Sequence, residues 1–244
     1  MEAVSKYLVI IPTYNEIENV ELIIEAVLSR EVGYHVLIVD DGSPDGTGEK
    51  VIELQASYGN RLHLLQREGK LGLGTAYIAG FKYGLEKEYD YIFEMDADFS
   101  HNPADLDRLL AACTAGADAA IGSRYVDDGG IQNWPKDRLI LSFGASMYVR
   151  IITWMKIKDP TAGFICYSNK VLSALDFDKI KFIGYAFQIE MKYYAHLKGF
   201  SLKEVPITFT DRIRGKSKMS SNIIKEAILG VLSMRWKSLK GYYK

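Results

Sequence analysis

The stretch YIFEMDADFSHNP sets two carboxylates, Asp96 and Asp98, two positions apart at the end of an apolar run. In extended backbone, residues at i and i+2 point the same way, about 7 Å apart along the strand. Like charges at that spacing repel unless a cation or water separates them. Hard divalent cations take oxygen ligands, and Mg²⁺ commonly binds one or two carboxylates together with substrate phosphates. The pair therefore reads in two ways, as a metal–diphosphate site or as a solvated strand end before a helix cap.

Other residues bear on that choice. DDGSPDGT (40–47) is a tight Gly/Pro turn leading into a helix. Its acids oppose a phosphate but suit ribose hydroxyls or base N–H donors, which Asp40 or Asp41 can accept; Ser43 or Asp45 also reads as a helix cap. GLGTA (72–76) reads equally as a glycine-rich ligand loop and as close strand–helix packing. Basic residues stand where an anionic ligand needs them: Arg124, Arg138, and then Arg212, Arg214, Lys216 and Lys218 within DRIRGKSK. Arginine offers phosphate a planar two-pronged fork and lysine a point charge. The last group reads as a phosphate-binding loop or as a patch drawn to anionic lipid.

The elements that position these residues follow from apolar periodicity. Strands are expected at 7–11, 34–40, 61–66, 89–96 and 117–123, with helices at 19–30, 45–57, 72–87 and 103–114 between them. Apolar strands alternating with helices imply a mostly parallel α/β sheet covered on both faces, with ligands gathered at the strands' carboxyl ends. PTYNE, DDGSPDGT and DADFSH all fall at such ends. The second half predicts a polar loop at 127–137, a helix at 139–156, a turn and strand at 159–168, a helix at 184–199, a strand at 201–211 and a last helix at 222–239. The expected organisation is one catalytic domain, 1–221, followed by a C-terminal amphipathic helix, 222–244, packed on the domain or lying on a membrane.

The composition narrows the classes. A formal charge of −1 on 244 residues gives no general affinity for nucleic acid. Two cysteines, Cys113 and Cys166, form no metal or disulfide framework and read as buried thiols of a reduced compartment. No secretory leader is expected, and no run reaches the roughly 18 apolar residues of a membrane span. The expected location is cytoplasmic, peripheral to the inner face of the membrane.

Nine motifs run in a fixed order: IIPTYNE, VDDGSPDGT, GLGTAY, MDAD, GSRY, NWPKDR, DPTAGF, GYAFQIE and PITFTDRIRGKSKM. In this combination the chain resembles the dolichol-phosphate (polyprenol-phosphate) mannosyltransferase family, within the family 2 glycosyltransferases of GT-A fold. The resemblance covers nearly the whole chain and implies an inverting, metal-dependent hexosyltransferase moving mannose from GDP-mannose to a polyprenyl phosphate. It implies that Pro12, Tyr14, Glu16, Val39 and Asp41 hold the nucleoside, and that Asp96, the Ala97 backbone and Asp98 hold Mg²⁺ or Mn²⁺ and the diphosphate, with Ser100 beside them. Arg124, Arg138 and Ser142 would receive the lipid phosphate, and Arg212 and Lys218 would clamp the donor. Asp98, Arg124, Arg138 and Arg212 are then the catalytic set. Many relatives read DPTSGFR where this chain has Ala162 and Ile165, so no phosphate role is expected of that segment. Two other readings stand beside it: a transferase using UDP-glucose or another sugar nucleotide with the same lipid phosphate, since residues alone do not fix the base or hexose, and a non-catalytic subunit that binds a nucleotide sugar, against which the intact acid pair and the arginines argue.

Overall fold

A computed structural model describes residues 5–184, 186–212 and 221–243, with backbone only over 221–227. The two central strands, β1 (Tyr7–Thr13) and β2 (His35–Asp40), show why the strands read as unbroken apolar runs. Leu8, Ile10, Leu37 and Val39 enter one core, while Val9, Ile11, Val36 and Ile38 enter another on the opposite face. Both faces of the sheet are dry, so both sets of alternating side chains must be apolar.

The remaining elements are α1 (Val20–Leu28), α2 (Thr47–Tyr58), β3 (Leu62–Gln66), α3 (Leu73–Glu86), β4 (Tyr91–Glu94), α4 (Asp105–Thr114), β5 (Ala119–Ser123), β6 (Gly130–Gln132), α5 (Lys136–Thr153), β7 (Ile165–Ser168), α6 (Asn169–Ala174), α7 (Ala186–Leu197), β8 (Leu202–Pro206), β9 (Thr208–Thr210) and α8 (Ser221–Leu239). Seven strands form the main sheet in the order β3-β2-β1-β4-β7-β5-β8. All neighbours run parallel except β7, which is antiparallel to both β4 and β5. Helices α1, α2 and α4 supply one core with Val20, Ile24, Val51 and Leu109, and α3, α5, α7 and α8 supply the other with Tyr77, Val149, Phe187 and Val231.

Strand order reverses between β1 and β4. Their connections leave in opposite directions, which opens a crevice beyond their carboxyl ends. That topology brings PTYNE, DDGSPDGT and DADFSH to one edge of the molecule.

The structure departs from expectation in the second half. The strand expected at 201–211 is two: the chain leaves the main sheet after Pro206, and β9 pairs in parallel with β6 in a separate two-stranded sheet. β6 lies inside the polar segment read as loop, and α6 was not expected; at three and six residues, both are too short to show a period. The last helix is anchored on the domain, since Val231 and Met234, with Tyr243 beyond its end, lie in the core beside α5 and α7. The Tyr243 hydroxyl donates to Glu190 at 2.7 Å.

The glycine-rich stretch is resolved as packing. A Cβ on Gly74 would lie 2.7 Å from the Phe187 ring and 2.9 Å from the Phe182 carbonyl oxygen. Gly144, in the exposed face of α5, has open space around its missing Cβ. Alanine in a helix interior gains about 1 kcal/mol over glycine, but overpacking costs about 1–3 kcal/mol. Gly74→Ala is therefore expected to destabilise the protein and Gly144→Ala to stabilise it, as read from denaturant midpoints; shifts of the same sign would refute the packing assignment.

Candidate functional site

The acid pair does not sit on extended backbone. β4 ends at Glu94, and the chain turns through Phe99 in the left-handed region at φ 60°. Backbone strain of this kind is held only where neighbours over-determine it. The Asp96 N–H donates to His101 Nδ1 at 3.2 Å, and the Ser100 N–H donates to Asp98 Oδ1 at 3.0 Å. Thr210 N–H, at the end of β9, reaches the Ser100 carbonyl at 3.3 Å. His101 stacks on Phe164 with ring centres 4.8 Å apart. Burial holds its imidazole well below the ordinary value, so it is neutral, and the bond from Asp96 N–H occupies its Nδ1 lone pair.

Asp96 is pushed well above the usual carboxylate range, first by burial and then by the charge of Asp98, against the opposing pull of Arg212. Arg212 Nη2 meets Asp98 Oδ2 at 2.8 Å. The Ser100 hydroxyl is buried without a hydrogen-bond partner among the described residues. Crowded carboxylates, a raised pKa and a spare hydroxyl oxygen fit a hard divalent cation. Among the described residues no cluster of three His, Cys, Asp or Glu side chains forms here, so a cation would complete its shell with phosphate and water oxygens.

A cavity of about 770 Å³ opens beside the pair. Of the expected residues, Asp96, Asp98, Ser100, Arg124, Arg138, Ser142 and Arg212 line it. Arg138 pairs with Asp211 at 3.0 Å and lies 3.9 Å from the centre of the Trp134 ring. Ser142 accepts from the Tyr125 hydroxyl at 2.8 Å. Arg124 is different in kind. Its Nε and Nη2 both reach Asp159 at 2.7 Å, its backbone N–H adds a third bond at 3.1 Å, and Asp159 is fully buried. Burial alone would raise Asp159, but the Arg124 charge and hydrogen bonds outweigh it and hold the carboxyl below the usual range. The planar fork of Arg124 is thus spent on the protein.

The other expected residues group at the ends of β1 and β2. The Lys70 ammonium lies 5.1 Å from the Tyr14 ring centre. The Glu16 carboxylate accepts from Asn19 at 2.9 Å, and its backbone N–H donates to Thr47 at 3.0 Å. Asp41 is ion-paired with Arg67, while Asp40 is used within its own turn, accepting from Thr13 and Ser43 at 2.8 and 2.6 Å. Val39 and Ala97 put their side chains in the cores, so each offers a ligand only backbone. Lys218 lies outside the described residues.

Sequence reasoning missed Asp159, Asp211, His101 and the buried group behind the acid pair. Glu94 and Lys192 are fully buried, and the Lys192 ammonium donates to the Ala162 carbonyl at 2.6 Å. Burial raises Glu94 to about 8, opposed by Lys192 and Gln188, and lowers Lys192 to about 8, opposed by Glu94 and Asp159. The only local signal was a charged residue inside an apolar strand or helix, FEMD and EMKYY.

Fold and site define the class, a GT-A glycosyltransferase. Glucosyl-3-phosphoglycerate synthase from Mycobacterium tuberculosis, solved with phosphoglyceric acid, superposes with a TM-score of 0.69 at 17% identity, covering 95% of this chain and 80% of that one. The same enzyme with Mn²⁺, UDP and glucosyl-3-phosphoglycerate gives 0.66 at 16% identity, over 95% and 80%. The family model "Glycosyl transferase family 2" matches residues 8–179, and the chain belongs to that family. It is 50% identical to polyprenol monophosphomannose synthase of Mycolicibacterium smegmatis over 92% of this chain and 84% of that protein. It is 45% identical to undecaprenyl-phosphate mannosyltransferase of Micrococcus luteus over 96% and 98%. Dolichol-phosphate mannosyltransferase of Pyrococcus furiosus is 38% identical over 95% of this chain and 64% of its own length.

Breaking a buried pair costs about 3–5 kcal/mol, whereas one about a third exposed is worth up to about 1 kcal/mol. Arg124→Ala is expected to lose the larger amount and Arg138→Ala the smaller, measured by chemical denaturation. Equal losses would contradict the burial difference. Glu94 supplies a pH test. Its folded value of about 8 stands above the ordinary 4.5, so the folded state keeps a proton that the unfolded chain releases between those values. Stability then falls as pH rises through that window, by at most about 1.4 kcal/mol per unit. Glu94→Gln should flatten the slope between pH 5 and 8; an unchanged slope would show that Glu94 is not its source.

Proposed function

We propose that this chain transfers mannose from GDP-mannose to a polyprenyl phosphate, inverting the anomeric carbon. The observation that carries the reading is the set of charges lining one otherwise apolar cavity: an acid pair with Arg212, and Arg138 with Ser142, the two arginines linked through Asp211. Such a cavity suits a reaction in which one anion leaves and another attacks. The names of relatives at 45–50% identity support both the sugar and the lipid phosphate.

Asp96 and Asp98, with Ser100 beside them, would hold a divalent cation, which would supply positive charge for the departing diphosphate. Arg212, now on Asp98, is placed to share that charge. The ends of β1 and β2 supply the nucleoside site: Pro12, Tyr14 and Glu16 with Val39 and Asp41. Arg138 and Ser142 orient the acceptor phosphate, and Arg124, locked by Asp159, fixes the floor against which they work. A phosphate monoester has a second pKa near 6 and is already nucleophilic at neutral pH. No residue need remove a proton from it. His101, neutral and committed to the Asp96 N–H, serves as a strut. Catalysis then rests on positioning and charge.

The lipid explains the outer surface of two neighbouring helices. α5 exposes Ile140, Phe143 and Ile151, Trp154 follows at its C-terminal cap, and α8 exposes Leu229, Leu232, Trp236 and Leu239. Their cations include Arg150, Arg235, Lys237 and Lys240. Apolar residues with interfacial tryptophans and cations suit a membrane surface, and none of the described helices is long and apolar enough to cross one. The C-terminal helix is proposed as a packed part of the catalytic unit that also faces lipid.

Transfer of labelled sugar to a short polyprenyl phosphate with Mg²⁺ or Mn²⁺ tests the reading. GDP-mannose should serve and UDP-glucose should not. Asp98→Ala is expected to abolish turnover, and Arg138→Ala to raise the KM for the lipid tenfold or more with little change for GDP-mannose. Near-normal turnover by Asp98→Ala would overturn the metal assignment, and preference for UDP-glucose would overturn the donor.

A further inference from the structure

The floor of the cavity carries a polar group that the charges around it leave unexplained. Gln188, on α7, lines the cavity and is 3% exposed, and apart from the neighbouring Glu94 carboxyl, with which the amide interacts, its Oε1 and Nε2 have no hydrogen-bond partner among the described residues. An amide carries two donors and an acceptor, of which Glu94 takes only part, and leaving a buried polar group unpaired costs roughly 1–3 kcal/mol, so the remaining atoms call for a partner that arrives from outside. Gly163 faces it: a Cβ there would stand 3.7 Å from Gln188 Nε2. The absence of a side chain at that point keeps the amide open to the cavity.

Position identifies the partner. On the proposed reading Asp96 and Asp98 hold the leaving diphosphate, and Arg138 and Ser142 orient the attacking phosphate. In an in-line displacement the hexose must lie in the cavity beside the acid pair, and Ala162, Gly163 and Gln188 line that same cavity. We infer that Gln188 is a specificity-determining residue that hydrogen-bonds a hydroxyl of the transferred hexose. An amide offers one acceptor and two donors, which matches a hydroxyl that both donates and accepts. The seat behind it is fixed. Glu94, fully buried, lies close enough to feel the amide, and Lys192 ties α7 to the Ala162 carbonyl at 2.6 Å. The amide is therefore held from α7 while its free face meets the sugar.

The assignment deepens the mannosyl-transfer reading and rests on it. Sites built to hydrogen-bond a hydroxyl reject analogues lacking it far more strongly than apolar pockets reject a methylene. The test uses the full chain with Mn²⁺, comparing wild type with Gln188→Leu and Gln188→Met, which keep the volume and remove the amide. GDP and GDP-mannose binding are measured by calorimetry, and kcat/KM is measured with GDP-mannose and its mono-deoxy analogues. Both variants should bind GDP within twofold of wild type and lose tenfold or more in kcat/KM with GDP-mannose. One deoxy donor, poor with wild type, should lose little further in the variants because its hydroxyl partner is already gone. Variants that match wild type with GDP-mannose, or that lose equally with every donor and with GDP, overturn the inference; the second result marks Gln188 as a purely structural residue satisfied by internal water. A wild type that binds GDP but transfers no mannose fails the underlying reading and the inference with it, and it is told apart because the wild-type arm alone reports it.

Discussion

Everything around the cavity depends on keeping Asp96 and Asp98 in one turn against their mutual repulsion. Burial and the second negative charge both raise Asp96, so the turn is poised to take up positive charge. Arg212 partly answers that need through Asp98. The turn is held from three directions: by the His101 ring under the Asp96 N–H, by Asp98 on the Ser100 N–H, and by Thr210 on the Ser100 carbonyl. The last contact is why the small β6–β9 sheet matters. It brings Arg212, which follows β9, to the acid pair, and it holds Trp134 and Arg138, which follow β6, beside it through the Arg138–Asp211 pair.

Charge in this site falls into two energetic classes. Arg124 with Asp159 is dry, multiply bonded and paired, so it fixes shape and contributes little free charge. Arg138 with Asp211 is about a third exposed, and a stronger anion can draw the arginine away at small cost. A phosphate carrying nearly two charges is such an anion. The pairs best placed to exchange partners are the partly exposed ones, and the most buried pair is the one that stays fixed.

The sheet was legible in the sequence because its physics is local. YLVII, HVLIVD and AAIGS read as buried strands from composition alone, and the three polar ends could be placed at one edge from the alternation with helices. β6 and β9 were not legible. Three-residue strands carry no period, and their pairing joins segments 78 residues apart in register, Gly130 with Thr208. The acid pair could be named from its spacing but not its geometry, since the turn at Phe99 replaces the extended backbone that the spacing argument assumed. The arginines could be named but not sorted. That Arg124 is committed to Asp159 depends on a partner 35 residues away. Gln188 and Glu94 look like ordinary members of apolar segments, and only three-dimensional structure shows that they are buried beside each other with no other hydrogen-bond partner among the described residues.

The apolar wall settles why such a charged reaction can sit beside lipid. In a cavity whose lining is mostly carbon, the field of each fixed charge is screened less than in water, so a few groups suffice to steer two anions. The same wall continues outward onto α5 and α8, joined where the Tyr148 hydroxyl donates to the Ile228 carbonyl at 2.8 Å. The helix that closes the core with Val231 and Met234 also presents Leu229 and Leu232 to the outside, so on the proposed reading one element both packs the domain and faces the lipid.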